Sequence, residues 1–420
     1  MTNKRLAWSV LALLLAINLM NYVDREALYS LLPLIQGDLK LSDAQAGSLA
    51  SAFVIVYMFA ALPIGYWADK GKRVSWMAGG AALWSLATGF SGLAWNYASL
   101  FSARAAVGIG ESSYGSVSPS FVAEHFPPAE HGLVMAIFAM AVSVGSGIGY
   151  IAGGLLGQHF GWRSAFYWTA IPGLIFAAMA TRLKDPQKNR PAPIAAAPPA
   201  PTHSPMSSYL KIFKTPSYSL TTLSMGLMTF ALGGFAVWMP SFLHRQWLWS
   251  VGKSGSVFGA MTIVSGIIGT LAGGWISNWV FKYNTRAYLI VSAAGLLIST
   301  PLMIYSLMST HVMAAMVSLF TAEFFVFLNM GPLNAVLVAV TELKSRSMAF
   351  AANIFVIHAI GDALSPTIIG VISDRSSLTI GLIFASLFLG ASGILCLWAM
   401  KYYDADVAAQ DGGVSAPVYV

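Results

Sequence analysis

The chain predicts an all-α membrane protein with twelve transmembrane helices in two six-helix halves, and three observations carry that prediction. Of its 420 residues, 57% are hydrophobic and only 9% are charged, against about 25% in ordinary soluble domains, and the mean hydropathy is +0.68. Apolar stretches of about 20 residues, each enough to cross about 30 Å of hydrocarbon, recur along the chain. They run near 7–33, 44–67, 75–95, 98–122, 132–156 and 163–183, then near 218–245, 254–280, 287–308, 312–340, 347–371 and 377–401. The basic residues fall on alternate sides of these stretches. With both termini inside, sixteen of the 23 Lys and Arg fall in cytoplasmic segments, five outside (Lys40, Arg163, Arg245, Lys253, Arg375), and Arg25 and Arg104 within helices. That is the positive-inside pattern, and it explains the net charge of +7 better than a nucleic-acid partner would.

The domain boundaries follow: an N-terminal six-helix half over 1–183, a linker over 184–217, a C-terminal half over 218–403 and a cytoplasmic tail over 404–420. The linker runs from Asp185-Pro186 into the Pro/Ala-rich 191–205, a composition that buries no core. The start, Lys4-Arg5 before an apolar run, resembles a secretory signal. The run is long, lacks a small-residue cleavage site and continues into charge, so it reads as a retained first helix. The expected location is the inner membrane, multi-pass, as a monomer.

That charge is Asn21-Tyr22-Val23-Asp24-Arg25-Glu26. An ionisable residue at membrane depth costs at least ~2.5–3.5 kcal/mol and faces a cavity or a partner, and spanning a bilayer needs none of these three. The second span ends in Gly65-Tyr-Trp-Ala-Asp69, followed by Lys70, Lys72 and Arg73. An acid and several cations at a helix end can latch it to a neighbour and bias a conformational equilibrium. Gly65, Asp69 and Arg73 are therefore candidate latch residues; the second-half copy, Gly274-Trp-Ile-Ser-Asn278, lacks the acid. The fourth span carries Arg104, Gly108, Gly110 and Glu111. The fifth has Gly145, Gly149 and Gly153, a spacing that lets helices approach closely. The eleventh carries Gly361, Pro366 and Gly370 in the corresponding place, and two such halves put a substrate site near the midplane.

Several of these stretches resemble known families. Gly65-x-x-x-Asp69-Lys-Gly-Lys-Arg73 is similar to the signature loop of the major facilitator superfamily, and Arg104-Ala-Ala-Val-Gly-Ile-Gly-Glu111 to its buried-arginine motif. Asn21-Tyr-Val-Asp-Arg25 is shared by anion:cation symporters for sugar acids and by the Spinster family. Val144-Gly-Ser-Gly-Ile-Gly-Tyr150, Phe230-Ala-Leu-Gly-Gly234 with Trp238-Met-Pro240, and His358-Ala-Ile-Gly-Asp362-Ala-Leu-Ser-Pro366 resemble Spinster. The resemblance implies the major facilitator fold and a secondary transporter; eukaryotic Spinster members export lysophospholipids or sphingosine phosphate. It also implies that Asp24, Arg25 and Glu111 line a central cavity and serve head-group binding and proton coupling.

Counting at ~1.5 Å per residue gives an independent view of depth. Arg104 then lies ~9 Å and Glu111 ~20 Å below the outer boundary, with Asp24 and Arg25 at ~12–14 Å. These depths pair Asp24 with Arg104 and Arg25 with Glu111, and leave Glu26 without a partner. A packing anchor is the competing reading of Arg104. An anion taking Arg25 would strip Glu111 of its counter-charge, which is a physical route to proton coupling.

In the second half, Glu323 is a candidate second carboxylate of the cavity. Asn329 and the pair His358 and Asp362, four residues apart on one helix face, are secondary candidates; a structural hydrogen bond is the plainer reading of that pair. Tyr22, Tyr114 and Trp238 suit an amphipathic ligand. The expected site is thus Tyr22, Asp24, Arg25, Arg104, Glu111, Tyr114, Trp238 and Glu323. No nucleophile-with-base arrangement, phosphate loop or His/Cys cluster is present in the sequence, so neither an enzyme, a nucleotide-driven pump, a metal nor a cofactor is expected. The expected activity is proton-coupled transport of an amphiphile with an anionic or zwitterionic head, with import of a small organic anion such as a sugar acid as the alternative. The partners are a lipid or small-molecule substrate, protons and the bilayer.

Overall fold

The computed structural model describes residues 4–69, 73–127, 130–185, 210–342 and 345–410. Among them the chain is helical: α1 (Lys4–Leu39), α2 (Asp43–Asp69), α3 (Arg73–Ser91), α4 (Tyr97–Gly115), α5 (Ser118–Ala123), α6 (His131–Phe160), α7 (Trp162–Ala180), α8 (Pro216–Trp247), α9 (Val251–Phe281), α10 (Ala287–Met308), α11 (Val312–Phe327), α12 (Met330–Ala339), α13 (Arg346–Ile357), a π turn (His358–Asp362), α14 (Ser365–Arg375) and α15 (Leu378–Gln410). Nine helical stretches among the described residues are long and apolar enough to cross a membrane. The expected third, fourth and sixth spans fall outside that set. Their helices, of 19 residues each, are long enough but less apolar, and α4 carries both Arg104 and Glu111. The loop cations Lys70 and Lys72 and most of the linker lie outside the described residues.

Three expected spans are interrupted. The fourth breaks between α4 and α5, where Pro119 opens the new helix as its fixed φ favours. The tenth breaks at Leu328–Asn329, and the eleventh at the π turn, where Gly361 leaves the helical region (φ −96°, ψ −109°). Such turns mark places where a helix adjusts locally. Other helices outrun the hydrocarbon: α1 reaches Leu39, and α15 continues through 404–410, the start of the stretch read as tail.

The chain forms two compact units. The first comprises Met1–Ile194, Phe235–Ile263 and Pro366–Leu378; the second comprises Ala195–Gly234, Val264–Ser365 and Thr379–Val420. In the first, α1 packs along α6 and α7, α3 against α4 and α7, and α2 against α4. The α6 glycines set the α1 contact. A Cβ on Gly145, Gly149 or Gly153 would stand 2.8 Å from the carbonyl oxygen of Leu19, Val23 or Ala27 respectively, so the α6 backbone lies directly on the charged stretch of α1. Gly80 and Gly110 do the same for α3 and α4: a Cβ on Gly110 would be 2.5 Å from the Trp84 amide nitrogen and 2.7 Å from the Gly80 oxygen. Because both obstacles are backbone, Gly110→Ala is expected to destabilise the protein by ~1–3 kcal/mol, as overpacked cores do. Unfolding in detergent measures this, and an unchanged midpoint would remove the close-approach argument.

In the second unit α10 packs on α11. Phe230 stacks on Phe388 with ring centroids 4.1 Å apart. The hydroxyls of Ser224 and Ser392 meet at 2.8 Å beside the buried thiol of Cys396.

Candidate functional site

The charged stretch of α1, pressed against α6, reaches α4 through a side-chain bridge. The Arg25 Nη2 donates to Glu111 Oε2 at 2.7 Å, which is the pairing the depth count predicts. Glu111 is fully buried, whereas Arg25 keeps 21% of its side chain exposed. Its guanidinium also lies over two rings, 5.1 Å from the Tyr22 centroid and 4.5 Å from that of Phe53. A cation desolvated over aromatic faces gains from both, so the site holds Arg25 charged and faces it toward whatever reaches its open side.

The other predicted pair does not form. Asp24 and Arg104 are both fully buried yet make no ion pair; Asp24 instead faces hydroxyls of α3 and α7, Thr88 at 3.5 Å and Thr169. Successive helical residues diverge by about 100°, so when Arg25 faces α4, Asp24 cannot. Arg104 is left in the field of Glu111 and Asp24, 5.9 Å from the Phe53 ring centroid, with its Nε and Nη1 meeting no acceptor among the described residues. A buried guanidinium with unmet donors is costly, which counts against a pure packing anchor.

Glu26, for which the sequence offers no partner, is also buried and accepts from Ser146 Oγ at 3.3 Å. Tyr150 on the same face of α6 contacts it too. The signal was available: Ser146 and Tyr150 are four residues apart, hence on one helix face.

Two aromatic candidates turn inward. Tyr114 is buried edge-on to Trp84, 5.6 Å between centroids, and its hydroxyl donates to the Leu14 carbonyl. Trp238 is fully buried with its indole N–H on the Pro366 carbonyl at 2.9 Å. Both hold helices together with their polar hydrogens committed to backbone carbonyls; Tyr22 is half-buried beside Arg25.

The remaining candidates lie in the second unit. Glu323 accepts from Ser265 Oγ at 3.0 Å. His358 Nδ1 and Asp362 Oδ1 are 2.9 Å apart across the π turn, the structural bond foreseen for them. Asn329 donates to the Phe325 carbonyl at 2.8 Å and bridges the break between α11 and α12.

At the latch, Gly65 is near the end of α2, and the Asp69 side chain lies outside the described residues. Arg73 is buried and bridges two acids, Glu124 at 2.9 Å and Asp185 at 2.5 Å. Glu124 foremost, then Asp185, holds the guanidinium in its charged form well above the ordinary arginine range. Neither acid was legible as its partner, since they lie 51 and 112 residues away.

The Major Facilitator Superfamily sequence profile matches residues 14–366. Protein spinster homolog 1 of Xenopus laevis is 33% identical over 390 residues, covering 87% of this chain and 73% of that protein. The chain belongs to the Spinster family of the major facilitator superfamily. Human protein spinster homolog 1 is 32% identical over 386 residues, with the same two coverages of 87% and 73%. The fold is shared with the crystal structure of a bacterial homolog to the human lysosomal transporter Spinster, in its inward-facing and unoccupied conformation. That match has a TM-score of 0.83 at 21% identity and covers 99% of this chain and all of the other. As a Spinster member the chain is a multi-pass membrane transporter working by alternating access.

Proposed function

We propose that this Spinster-family chain is a proton-coupled carrier for an amphiphile with an anionic or zwitterionic head, of the lysophospholipid or sphingolipid class, working in the inner membrane with both termini cytoplasmic. The observation that carries the reading is the unmet guanidinium of Arg104 at the first-unit cluster. Arg25 is the one arginine of the cluster held in an ion pair, with Glu111, while the buried Arg104 has guanidinium donors that meet no acceptor among the described residues. Such a cluster favours an anion, and a phosphate presents the several acceptor oxygens that two guanidinium groups can engage together. Tyr22 and Phe53 at Arg25 supply apolar surface beside the head group.

Coupling follows from the same contacts. An anion that takes Arg25 leaves Glu111 buried without its counter-charge, and a carboxylate so stranded is neutralised by a proton. Substrate and proton then load together.

A thermal-stability series on the detergent-purified chain tests the substrate class, using lysophosphatidylglycerol, lysophosphatidylethanolamine and glucuronate as probes. A ligand at a hundredfold its Kd stabilises the folded state by ~2.7 kcal/mol. Stabilisation by the lysophospholipids and not by glucuronate is expected. The opposite pattern would make the chain a small-anion importer.

A further inference from the structure

The Glu111 reading leaves the buried acid Glu26 without work. Glu26 directly follows the paired Arg25 in α1 and is 6% exposed, with α6 hard against it: a Cβ on Gly149 would be 2.9 Å from the Glu26 Cβ. One oxygen accepts from Ser146 at 3.3 Å; the other is buried with no hydrogen-bond partner among the described residues, and the Tyr150 side chain stands beside the carboxyl group. Tyr150 is itself committed elsewhere, since its hydroxyl donates to the Ala236 carbonyl at 3.0 Å.

That carbonyl is an unusual one. Ala236 lies in α8 four residues before Pro240. Proline has no N–H, so the i→i−4 bond that Ala236 would normally accept is missing. The Tyr150 hydroxyl fills the place of that donor.

A phenol has one proton to give. While Tyr150 donates to Ala236 it can only accept from Glu26, and Glu26 can donate only as the neutral acid. If Glu26 is ionised, the carboxylate is the stronger acceptor and turns the Tyr150 proton toward itself, leaving the Ala236 carbonyl bare. Both arrangements use the same atoms; the proton on Glu26 decides which one forms.

We propose that Glu26 is a second proton-binding carboxylate of this carrier, and that its proton completes a hydrogen-bond chain, Glu26 to Tyr150 to the Ala236 carbonyl, that splints α8 across Pro240. Loss of the proton frees the α8 kink. The use of this switch in transport rests on the proposed proton coupling, but the switch itself is a property of the resting protein. The charged groups around Glu26 are Arg25 on its own helix and Glu111 on α4, which are paired with each other; beyond them lie Asp24 and Arg104. From α6 come Ser146 and Tyr150. The α8 segment brings the Ala236 carbonyl, and its ionisable residues, His244 and Arg245, are at its far end, with Arg245 held by Asp43 at 2.6 Å.

Hydrogen–deuterium exchange of the purified full chain, read on peptides covering 235–245 and corrected for intrinsic rate, tests the proposal between about pH 5 and pH 9. The value of one hydrogen bond predicts that protection of this segment falls about fivefold as pH rises. Glu26→Gln, whose amide can donate to Tyr150 permanently, is expected to keep the high protection at every pH. Tyr150→Phe should have the low protection throughout. Pro240→Ala, which restores a backbone N–H to Ala236, should be protected at every pH even if the Glu26 variant folds poorly. Glu111→Gln should retain the wild-type pH response, so failure of the Glu111 coupling scheme and failure of this switch read differently. A wild-type segment insensitive to pH, a response surviving in Glu26→Gln, or a response lost only in Glu111→Gln would each overturn the proposal.

Discussion

Arg25→Ala is expected to destabilise the protein by ~3–5 kcal/mol, the cost of leaving a buried carboxylate without its partner, and Glu111→Gln added to it should restore most of that loss. The reason is the asymmetry of the pair. Glu111 is fully buried while Arg25 reaches the open side of the site, so removing the cation strands a charge that water cannot reach. Removing the charge as well leaves only a neutral amide to satisfy. The signature is therefore non-additivity: the double variant is more stable than Arg25→Ala alone, and the coupling read from the cycle is large, as for residues in direct contact. Arg25→Lys is expected to fall between, because a lysine keeps the charge but lacks the planar guanidinium that lies over the Phe53 ring, 4.5 Å from its centroid. Equilibrium unfolding in detergent measures all five proteins, the wild type and Glu111→Gln alone included. Additive losses would mean that the 2.7 Å contact carries no energetic coupling, and the coupling scheme built on it would fall with it.

What the sequence revealed of this site follows from how far each inference had to reach. Composition and the recurrence of apolar stretches are sums over many residues, so the helical membrane fold was legible. The pairing of Arg25 with Glu111 was legible too, because helix rise converts residue number into depth, and a separation of ~6–8 Å along the axis is within reach of two long side chains seeking a partner. Depth alone says nothing about azimuth. That is why the same count joined Asp24 to Arg104, when Asp24 turns a third of a circle away from Arg25 toward Thr88. Aromatic candidates failed differently. Tyr114 and Trp238 have the residue types of a ligand pocket, but their polar atoms are engaged by the carbonyls of Leu14 and Pro366, contacts 100 and 128 residues distant that no local pattern contains. The Glu26 network hid for a third reason: its key member is the backbone oxygen of an alanine, exposed as an acceptor only because a proline follows four residues later.

Glu111→Gln alone is expected to abolish pH-driven transport while substrate binding persists. In reconstituted vesicles the wild-type flux should rise with an imposed proton gradient; the variant's residual flux should follow the substrate gradient only, with no response to the proton gradient. The sign comes from the proposed sequence of events. Substrate anion engages Arg25, Glu111 loses its counter-charge, and the proton it takes travels with the substrate. A glutamine has no proton to take, so the step that ties the two gradients is gone. Binding is spared because the amide releases Arg25 from its ion pair, leaving the guanidinium available to the anion, and Arg104 keeps its buried position in the same unit. The ligand-induced thermal shift should thus be retained or enlarged in the variant, in contrast to Arg25→Ala, where the shift should vanish along with the flux. A variant that still follows the proton gradient would remove Glu111 from the coupling step and leave Glu26, the buried acid beside Arg25 on α1, as the carboxylate that carries it.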